Sequence, residues 1–584
     1  MILQRLAEHY DRMAAEGQVV SPGYSRQKIS FCIVLNPDGS LNQFESLLEQ
    51  EGKKKRAQSL TVPGQSKPSG SGMNPCLLWD NASYLLGYNP KDEERATLAF
   101  GASRDKHLSL EATISHPAYT AVCTFLRNWQ PAHSKKHPEL EELASNFGVF
   151  RIAGEKYVHQ QITLPPSESG GQDADAEKIT CLVTGENKFP ARLHEPKIKG
   201  VADAQSSGAL LVSFNADAFT SYGKKQSYNA PVGKETVFKY TNALNQLLAD
   251  RSISLGNTTV VYWADHHTPV EDAFALLFEG GTSEKEEQKP QEDRKRVEEA
   301  KLLLSQMRSG TQYAVPEPDN MPTKFFILGL SPNASRLSVR LWVEADASEM
   351  LRRLAQHVCD SALNDNEVPP LWRIALATGR AKYDPKGRRT IYDRKSVAPK
   401  LAGDLARSVL TGAAYPQSLL AAMVRRISSD GHVSYERVCA IKACLVRNTR
   451  YTASPLEIPM KLDHLNSDVA YRCGRLFAIL EKAQKDSAGG ELNSTIKDRY
   501  FTAASVTPAL AFPRLLQLNG HHLNKLETGS KIYYERLIGS TMTAPFEFPL
   551  RLSLLDQGKF VTGYYQQNQD LYTSKKDKNT QENA

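Results

Sequence analysis

The sequence predicts an α+β N-terminal region, with mixed strands and helices, followed by an all-α C-terminal helical bundle. Three observations carry that prediction. Strand-like apolar runs flank tight-turn signals in QKISFCIVLNPDGSLNQFESL and in KFFILGLSPNASRLSVRLWVEA. From Ala402 onward, apolar residues recur at three- and four-residue steps: Leu405, Val409, Leu419 and Met423, then Val438, Ile441 and Leu445, then Val469, Cys473, Leu476 and Leu480. The 584 residues are 40% hydrophobic and 23% charged, which excludes a mostly disordered chain.

Taken in order, Ile2 to Met13 reads as a short amphipathic helix. A hairpin follows around Asn36-Pro37-Asp38-Gly39, where Asp-Gly supplies the positive φ of a tight turn. The charge run Gly52-Lys53-Lys54-Lys55-Arg56 leads to a loop rich in Pro, Gly and Ser from Pro63 to Gly72, and order resumes at Asn74 with CLLWDNASYLLG. Helix and strand then mix to about Asp265, interrupted by a solvated loop from Pro165 to Lys178. Gly280 to Arg296 is polar, charged and without apolar periodicity, which predicts a mobile linker. Met350, Leu351, Leu354 and Val358 predict a helix from Ser348 to Ala362. In the bundle, Gly489-Gly490 and Asn519-Gly520 read as helix ends, and Pro508 and Pro513 as starts or kinks. The expected organisation is an N-terminal domain over 1–345, a mostly helical domain over 346–573 and a disordered tail over 574–584.

Composition narrows the function classes. No stretch approaches the 18 or so apolar residues of a spanning helix, and MILQRLAEHYDRM carries charges where a signal peptide needs its apolar core. A cytoplasmic protein is expected, with no membrane partner. The eight cysteines form no CxxC pair, so buried thiols are expected rather than a zinc ribbon. The net charge is +7, but Leu371 to Arg450 holds sixteen Lys/Arg against five Asp/Glu, a local +11 that leaves −4 elsewhere. Such a block predicts a surface that meets a polyanion.

Several constellations bear chemistry, each with a plainer alternative. Asp265-His266-His267 follows the strand-like TTVVYWA, and Asp with His can hold a metal for phosphoester hydrolysis. Neighbouring strand residues point to opposite faces, so a strand-end loop with solvated histidines is the alternative, as it is for His521-His522. Cys181 and His194 make two zinc-type ligands, short of the four of a structural site. No Walker motif, nucleophile elbow or dinucleotide fingerprint stands in a fitting context. No catalytic residue, metal or cofactor is expected.

Polar and basic segments point instead to nucleic acid. In Lys67-Pro68-Ser69-Gly70-Ser71-Gly72-Met73-Asn74, glycines permit close backbone approach while Ser and Asn offer short hydrogen-bonding groups suited to a minor groove. Lys53, Lys54, Lys55, Arg56 and Lys67 suit the flanking phosphates; a solvated surface loop is the alternative. Gly200 to Gly208, with Gln205, leads to AFTSYGKKQSYNAPV, where Lys224, Lys225, Gln226 and Asn229 suit backbone contacts and Tyr222 or Tyr228 a stacked base. A hydrogen-bonded turn on the α+β core is the alternative there. Seven cations lie between Arg380 and Lys395, among them Lys382, Arg388 and Arg389, a pattern that gives salt-dependent, sequence-independent affinity.

In collinear order, the opening MILQRLAEHYDRM…YSRQKISFCIVLNPDGSL, then GMNPCLLWDNASYLLG, LHEPKIKGVADAQSSGALLVSFNADAFTSYGKKQSYNAPV and FFILGLSPNASRLSVRLW resemble the large-subunit family of the type I-C CRISPR surveillance complex, Cascade, the Csd-type family. The resemblance spans most of 1–345 and continues more loosely through the bundle. It implies a non-catalytic subunit at the crRNA 5′ end that recognises a protospacer-adjacent motif in double-stranded target DNA and helps open it into an R-loop. Guide pairing supplies the sequence specificity. Implied partners are crRNA, the displaced single strand, the backbone subunits, the 5′-handle crRNA-processing subunit, a helical small subunit and the CRISPR helicase-nuclease. Ser71, Gly72 and Asn74 fall in the implied motif-reading loop near 63–74, with Lys67 and Asn81 as neighbours. The resemblance also implies that the small subunit is translated from an internal start. Met460 would give 125 residues and Met423 would give 162, and the helical pattern from Val469 favours Met460. A metal-dependent phosphoesterase using Asp265 and His266, and a stand-alone nucleic-acid-binding protein, are the alternative readings.

Overall fold

The computed structural model describes residues 2–51, 54–64, 72–143, 147–163, 177–255, 258–279, 291–308, 322–384, 389–489 and 494–573. The chain forms two compact units: the first holds Met1–Gly200, Ala204–Asp250 and Asn333–Leu337, the second Val201–Asp203, Arg251–Pro332 and Ser338–Ala584.

The first unit opens with α1 (Ile2–Ala15), then β1 (Tyr24–Leu35), β2 (Leu41–Ser46), β3 (Leu48–Glu51), β4 (Lys54–Pro63) and β5 (Trp79–Asn81). Helices α2 (Ala82–Leu86), α3 (Glu93–Ile114), α4 (Pro117–Asn128) and α5 (Leu140–Leu143) follow, then β6 (Phe147–Ile152), α6 (Val158–Gln161), β7 (Ile179–Thr180), β8 (Asn187–Lys188) and α7 (Lys234–Asp250). The main sheet runs β3-β4-β1-β6-β5, with β2 also on β1. Its centre is β1, buried without a break from Ile29 to Leu35. Phe31, Ile33 and Leu35 enter one core cluster while Cys32 and Val34 enter another, so a continuous apolar run marks a strand covered on both faces. The expected hairpin is present, with Gly39 at φ +84° and its amide bonded to the Asn36 carbonyl at 2.9 Å.

The second unit begins with β9 (Ser252–Leu255) and β10 (Thr258–Ala264), then α8 (Pro269–Glu279) and α9 (Gln291–Arg308). A long hairpin of β11 (Lys324–Asn333) and β12 (Arg336–Asp346) completes the sheet β12-β11-β10-β9. Next come α10 (Ala347–Ser361), α11 (Leu371–Leu376), the short hairpin β13 (Ala381–Asp384) and β14 (Arg389–Tyr392), and α12 (Pro399–Thr411). The remainder is helical: α13 (Gln417–Asp430), α14 (Tyr435–Thr449), α15 (Val469–Ser487), α16 (Ile496–Val506), α17 (Pro508–Leu523), α18 (Thr528–Thr541) and α19 (Leu554–Tyr572). The α+β region followed by a helical region is thus the fold.

One core runs through this second unit. Val260 and Tyr262 of β10 share it with Phe325 and Ile327 of β11, Met350 and Leu354 of α10, and Phe477 and Phe560 of the bundle. The sheet β9–β12 is therefore grouped with the helices, a grouping that local periodicity does not reveal. Two further differences have local causes. The segment expected as a linker is helical from Gln291, because Ala300 and Leu303 bury one side of α9; 280–290 lie outside the described residues. Asn519-Gly520 falls inside α17 rather than at its end, with Asn519 buried on the packed side. Among the described residues no helix is long and apolar enough to cross a membrane.

Candidate nucleic-acid interface

The expected motif-reading loop leaves the sheet at Pro63 and rejoins it at Trp79. Residues 65–71, including Lys67 and Ser71, lie outside the described residues, as does Lys53. Both shoulders are pinned. The indole N–H of fully buried Trp79 donates to the Pro63 carbonyl at 2.5 Å. The Cys76 amide donates to Asp80 Oδ2 at 3.0 Å, and Lys106 Nζ donates to the Pro75 carbonyl at 3.1 Å. Leu78, at φ +63°, gives its amide to His107 Nε2 at 2.9 Å, while His107 Nδ1 sits 2.7 Å from the Ser103 carbonyl. That pair of contacts assigns the proton to Nδ1 and leaves Nε2 as acceptor. On this frame Gly72, Met73 and Asn74 form an exposed ledge. A Cβ at Gly72 would stand 3.1 Å from Asn74 Nδ2, so the structure brings those two residues together.

Asn81 does a different job. Its side-chain oxygen accepts the Ser83 amide at 3.1 Å and caps α2, which spends its acceptor within the fold. The basic run is also partly neutralised. On β4, Arg56 lies opposite Glu49 and Lys55 opposite Gln50 of β3, and Lys55 forms an ion pair with Glu142. The backbone of Lys54 faces Glu51 in the same ladder. Exposed Arg56 remains at the surface.

The Gln205–Asn229 region divides in the same way. Gln205 is exposed, and its carbonyl closes a turn onto the Gly208 amide at 2.9 Å. Ser221 to Lys224 form a tight turn with Tyr222 at φ +50° and Gly223 at φ +71°, the double positive-φ geometry of a hairpin tip. Asn229 holds this tip from below. Its Oδ1 accepts the Ser221 amide at 3.0 Å, and its Nδ2 donates to the Lys224 and Gln226 carbonyls at 2.9 Å each. Gln226 Oε1 accepts from Arg192 at 2.9 Å. Asn229 and Gln226 therefore organise the loop, and what they present outward is Lys224, Lys225 and Tyr222, the last 98% exposed. A bulky aromatic held at positive φ in open solvent is uncommon.

The basic block divides into buried and exposed cations. Arg437, Lys442 and Arg447 are buried in the helical core, where Arg437 pairs with Asp430, Arg447 with Asp360, and Lys442 Nζ donates to the Ala362 carbonyl at 2.5 Å. Arg373, Arg426 and Arg450 also pair with acids, namely Glu436, Asp430 and Asp360. Part of the local positive charge is thus structural, because burying a carboxylate requires a matching cation. The exposed remainder includes Arg380 and Lys382 at the β13–β14 hairpin, with Arg394, Lys395, Lys400 and Arg407 beyond it. Arg388 lies outside the described residues, and Arg389 is placed only as backbone on β14. The hairpin is anchored where the Ala381 amide meets Asp430 Oδ2 at 3.0 Å and Thr390 Oγ1 meets His432 Nε2 at 2.7 Å.

The enzyme-like strings serve packing. Asp265 Oδ1 accepts the Lys324 amide at 2.8 Å, and His267 Nδ1 lies 3.1 Å from Glu271 Oε2, with exposed His266 between them. Cys181 Sγ accepts the Gly233 amide at 3.3 Å, whereas His194 Nδ1 lies 2.6 Å from the Tyr240 hydroxyl. Burial pushes His194 down to about 4, so its ring stays neutral near pH 7. Among the described residues no group of three His, Cys, Asp or Glu side chains is arranged to hold a metal ion.

The first unit thus carries the Gly72–Asn74 ledge and an exposed aromatic turn, and the second carries a cation-bearing hairpin. The model of the family described as CRISPR-associated protein (Cas_Csd1) matches residues 6–572, and the chain belongs to that family. It is the family its sequence motifs resemble, and the match takes in the helical region as well as the α+β half. No curated protein matches the chain.

Proposed function

We propose that the chain is the non-catalytic large subunit of a crRNA-guided DNA surveillance complex in antiviral defence. In this reading it recognises the protospacer-adjacent motif in duplex DNA and helps open the target into an R-loop. It supports recruitment of the helicase-nuclease and assembles with the backbone, crRNA-processing and helical small subunits. The observation that carries it is the Gly72–Asn74 ledge, because a polar side chain reads base edges only when its backbone cannot shift, and both shoulders here are tied to buried residues. Exposed Arg380, Lys382, Lys224 and Lys225 are the cations proposed for phosphate or subunit contacts. Asn74→Ala in the assembled complex is expected to weaken binding of motif-bearing duplex by about 1–3 kcal/mol, the scale of one base-reading contact. Motif-free duplex should be unaffected; an equal loss on both duplexes rejects the role.

Met460 is proposed as the internal start of the small subunit. It lies between α14 and α15, so a product beginning there keeps α15 to α19 whole. Met423 sits fully buried in the middle of α13, and a start there would cut that helix. A C-terminal immunoblot should show a short species that disappears in Met460→Leu; its persistence rejects Met460.

A further inference from the structure

The sheet β12-β11-β10-β9 carries a second candidate site on the face it turns toward the helices. Toward the Leu255–Thr258 end of that face a cleft of about 550 Å³ opens between the strands and α12. This lies within the range of about 300–1,000 Å³ typical of small-ligand sites. Its walls are of two kinds. Leu255, Val260, Leu341 and Ala406 give an apolar surface, while Lys400 and Arg407 bring two cations against the single carboxylate of Asp404. The cations are exposed at the rim, and Arg407 is steadied by donating to the Arg340 carbonyl at 3.2 Å. One bond leaves most of its five donors for a ligand.

Two glycines shape the space. Gly329 of β11 lies opposite Val260, and a Cβ there would stand 2.9 Å from Leu341 Cβ and 3.2 Å from Thr258 Cγ2, so these side chains close over it as the floor. Gly403 is in the interior of α12 and lines the cleft, yet a Cβ there would meet nothing within 4 Å. A glycine inside a helix costs about 1 kcal/mol relative to alanine. No neighbour of Gly403 in the fold requires its missing side chain; the open cleft beside it does.

An apolar floor with two cations along one wall, and one carboxylate to accept an N–H or hydroxyl, has the complementarity of a nucleotide. We propose that this cleft holds one nucleotide of an unpaired nucleic-acid strand, its base against Leu341 above the apolar floor and its phosphate on Lys400 and Arg407. A paired base is shut away in its duplex, so only a single strand can place one here. The proposal rests on the reading that this chain meets nucleic acid, but not on its reading a motif.

The test is fluorescence anisotropy of the purified full chain with labelled oligo(dT) and oligo(rU), which contain no motif and no duplex. Gly403→Leu fills the cleft without changing charge and favours the helix, so its thermal midpoint should not fall. It is expected to weaken oligonucleotide binding about tenfold or more, the scale of losing a seated base. Lys400→Gln combined with Arg407→Gln should weaken binding and flatten its salt dependence, whereas Arg499→Gln, an exposed cation on α16, should leave both unchanged. Tighter binding of oligo(dT) would assign the site to DNA, and of oligo(rU) to RNA; both support it. Absence of binding by the unaltered chain overturns it. So does a loss in the Lys400/Arg407 double variant with none in Gly403→Leu, which would place the strand on surface charge alone. Motif-dependent duplex binding, read through Asn74, stands or falls separately.

Discussion

Gly474→Ala is expected to drive α15 away from α19 and to destabilise the helical unit by about 3 kcal/mol, the upper range for overpacking a close contact. A Cβ at Gly474 would lie 2.0 Å from the Phe560 carbonyl oxygen and 2.8 Å from the Tyr564 nitrogen. The contact is reciprocal, since a Cβ at Gly563 would lie 2.2 Å from the Tyr471 carbonyl oxygen. In both cases the obstacle is main chain, which cannot rotate aside as a side chain would. The helices must separate, and the hydrogen bonds spanning their crossing then lengthen. These are Tyr471 to Gln566 at 2.6 Å, Arg475 to Gln567 at 3.1 Å and Tyr564 to Glu481 at 2.6 Å. The helix propensity gained by alanine, about 1 kcal/mol, offsets only part of this. Gly520→Ala on α17 provides the opposite case: its Cβ meets nothing within 4 Å, so it should stabilise by up to about 1 kcal/mol. Amide hydrogen exchange distinguishes the two. Gly474→Ala should lose protection in α15 and α19 while α3 and α4 keep theirs, and full protection in α15 would refute the close-packing account.

Which of these features could be read from the chain alone depends on how far apart their determinants lie. The β1–β2 hairpin, α10 and the helical spacing beyond Ala402 are local patterns, written within a few residues of themselves, and they stand as expected. The joining of β9–β12 to the helices is a tertiary event, visible only once Val260 and Phe560 share a core. Site residues divide along the same line. Asn74, Asn81 and Asn229 are the same residue type in polar stretches, but one is exposed on a ledge, one caps a helix and one ties a turn. Residue chemistry nominates all three alike; only the direction in which the backbone presents each amide separates them. The resemblance to a known family was legible because AQSSGA…SYGKKQSYNAP is a long, specific string, not because its individual roles were. Charge was the least legible feature. Counting cations between Leu371 and Arg450 treats Arg447 and Lys382 alike, although the acid that pairs with Arg447 is Asp360, 87 residues away.

That pairing sets the other large expected effect. Arg447→Met should cost about 3 kcal/mol or more, because removing one partner of a buried ion pair leaves the other charge without compensation. Arg447 and Asp360 are each only 1% exposed, with Arg447 Nε donating to Asp360 Oδ2 at 2.7 Å. The guanidinium also donates to the Ser408 carbonyl at 3.1 Å and lies 4.4 Å from the centre of the Tyr415 ring. Tyr415 continues the network through its hydroxyl, 2.5 Å from His357 Nδ1. Burial, reinforced by the Arg447 charge, pushes His357 down to about 3, so its ring stays neutral beside the Arg447 cation. Arg450 also pairs with Asp360 from a more exposed position, which keeps the loss toward the lower end of the range. Asp360→Leu combined with Arg447→Met removes both buried charges and should recover part of the loss, since the single variants suffer mainly from the orphaned partner. Urea midpoints of the two single variants and the double variant measure this directly; additive losses would refute it. The result also bears on every charge-removal experiment in the basic block. A binding defect in Arg447→Met would report an unfolded helical unit, whereas one in Lys382→Gln, whose side chain is exposed on a surface hairpin, would report a lost contact.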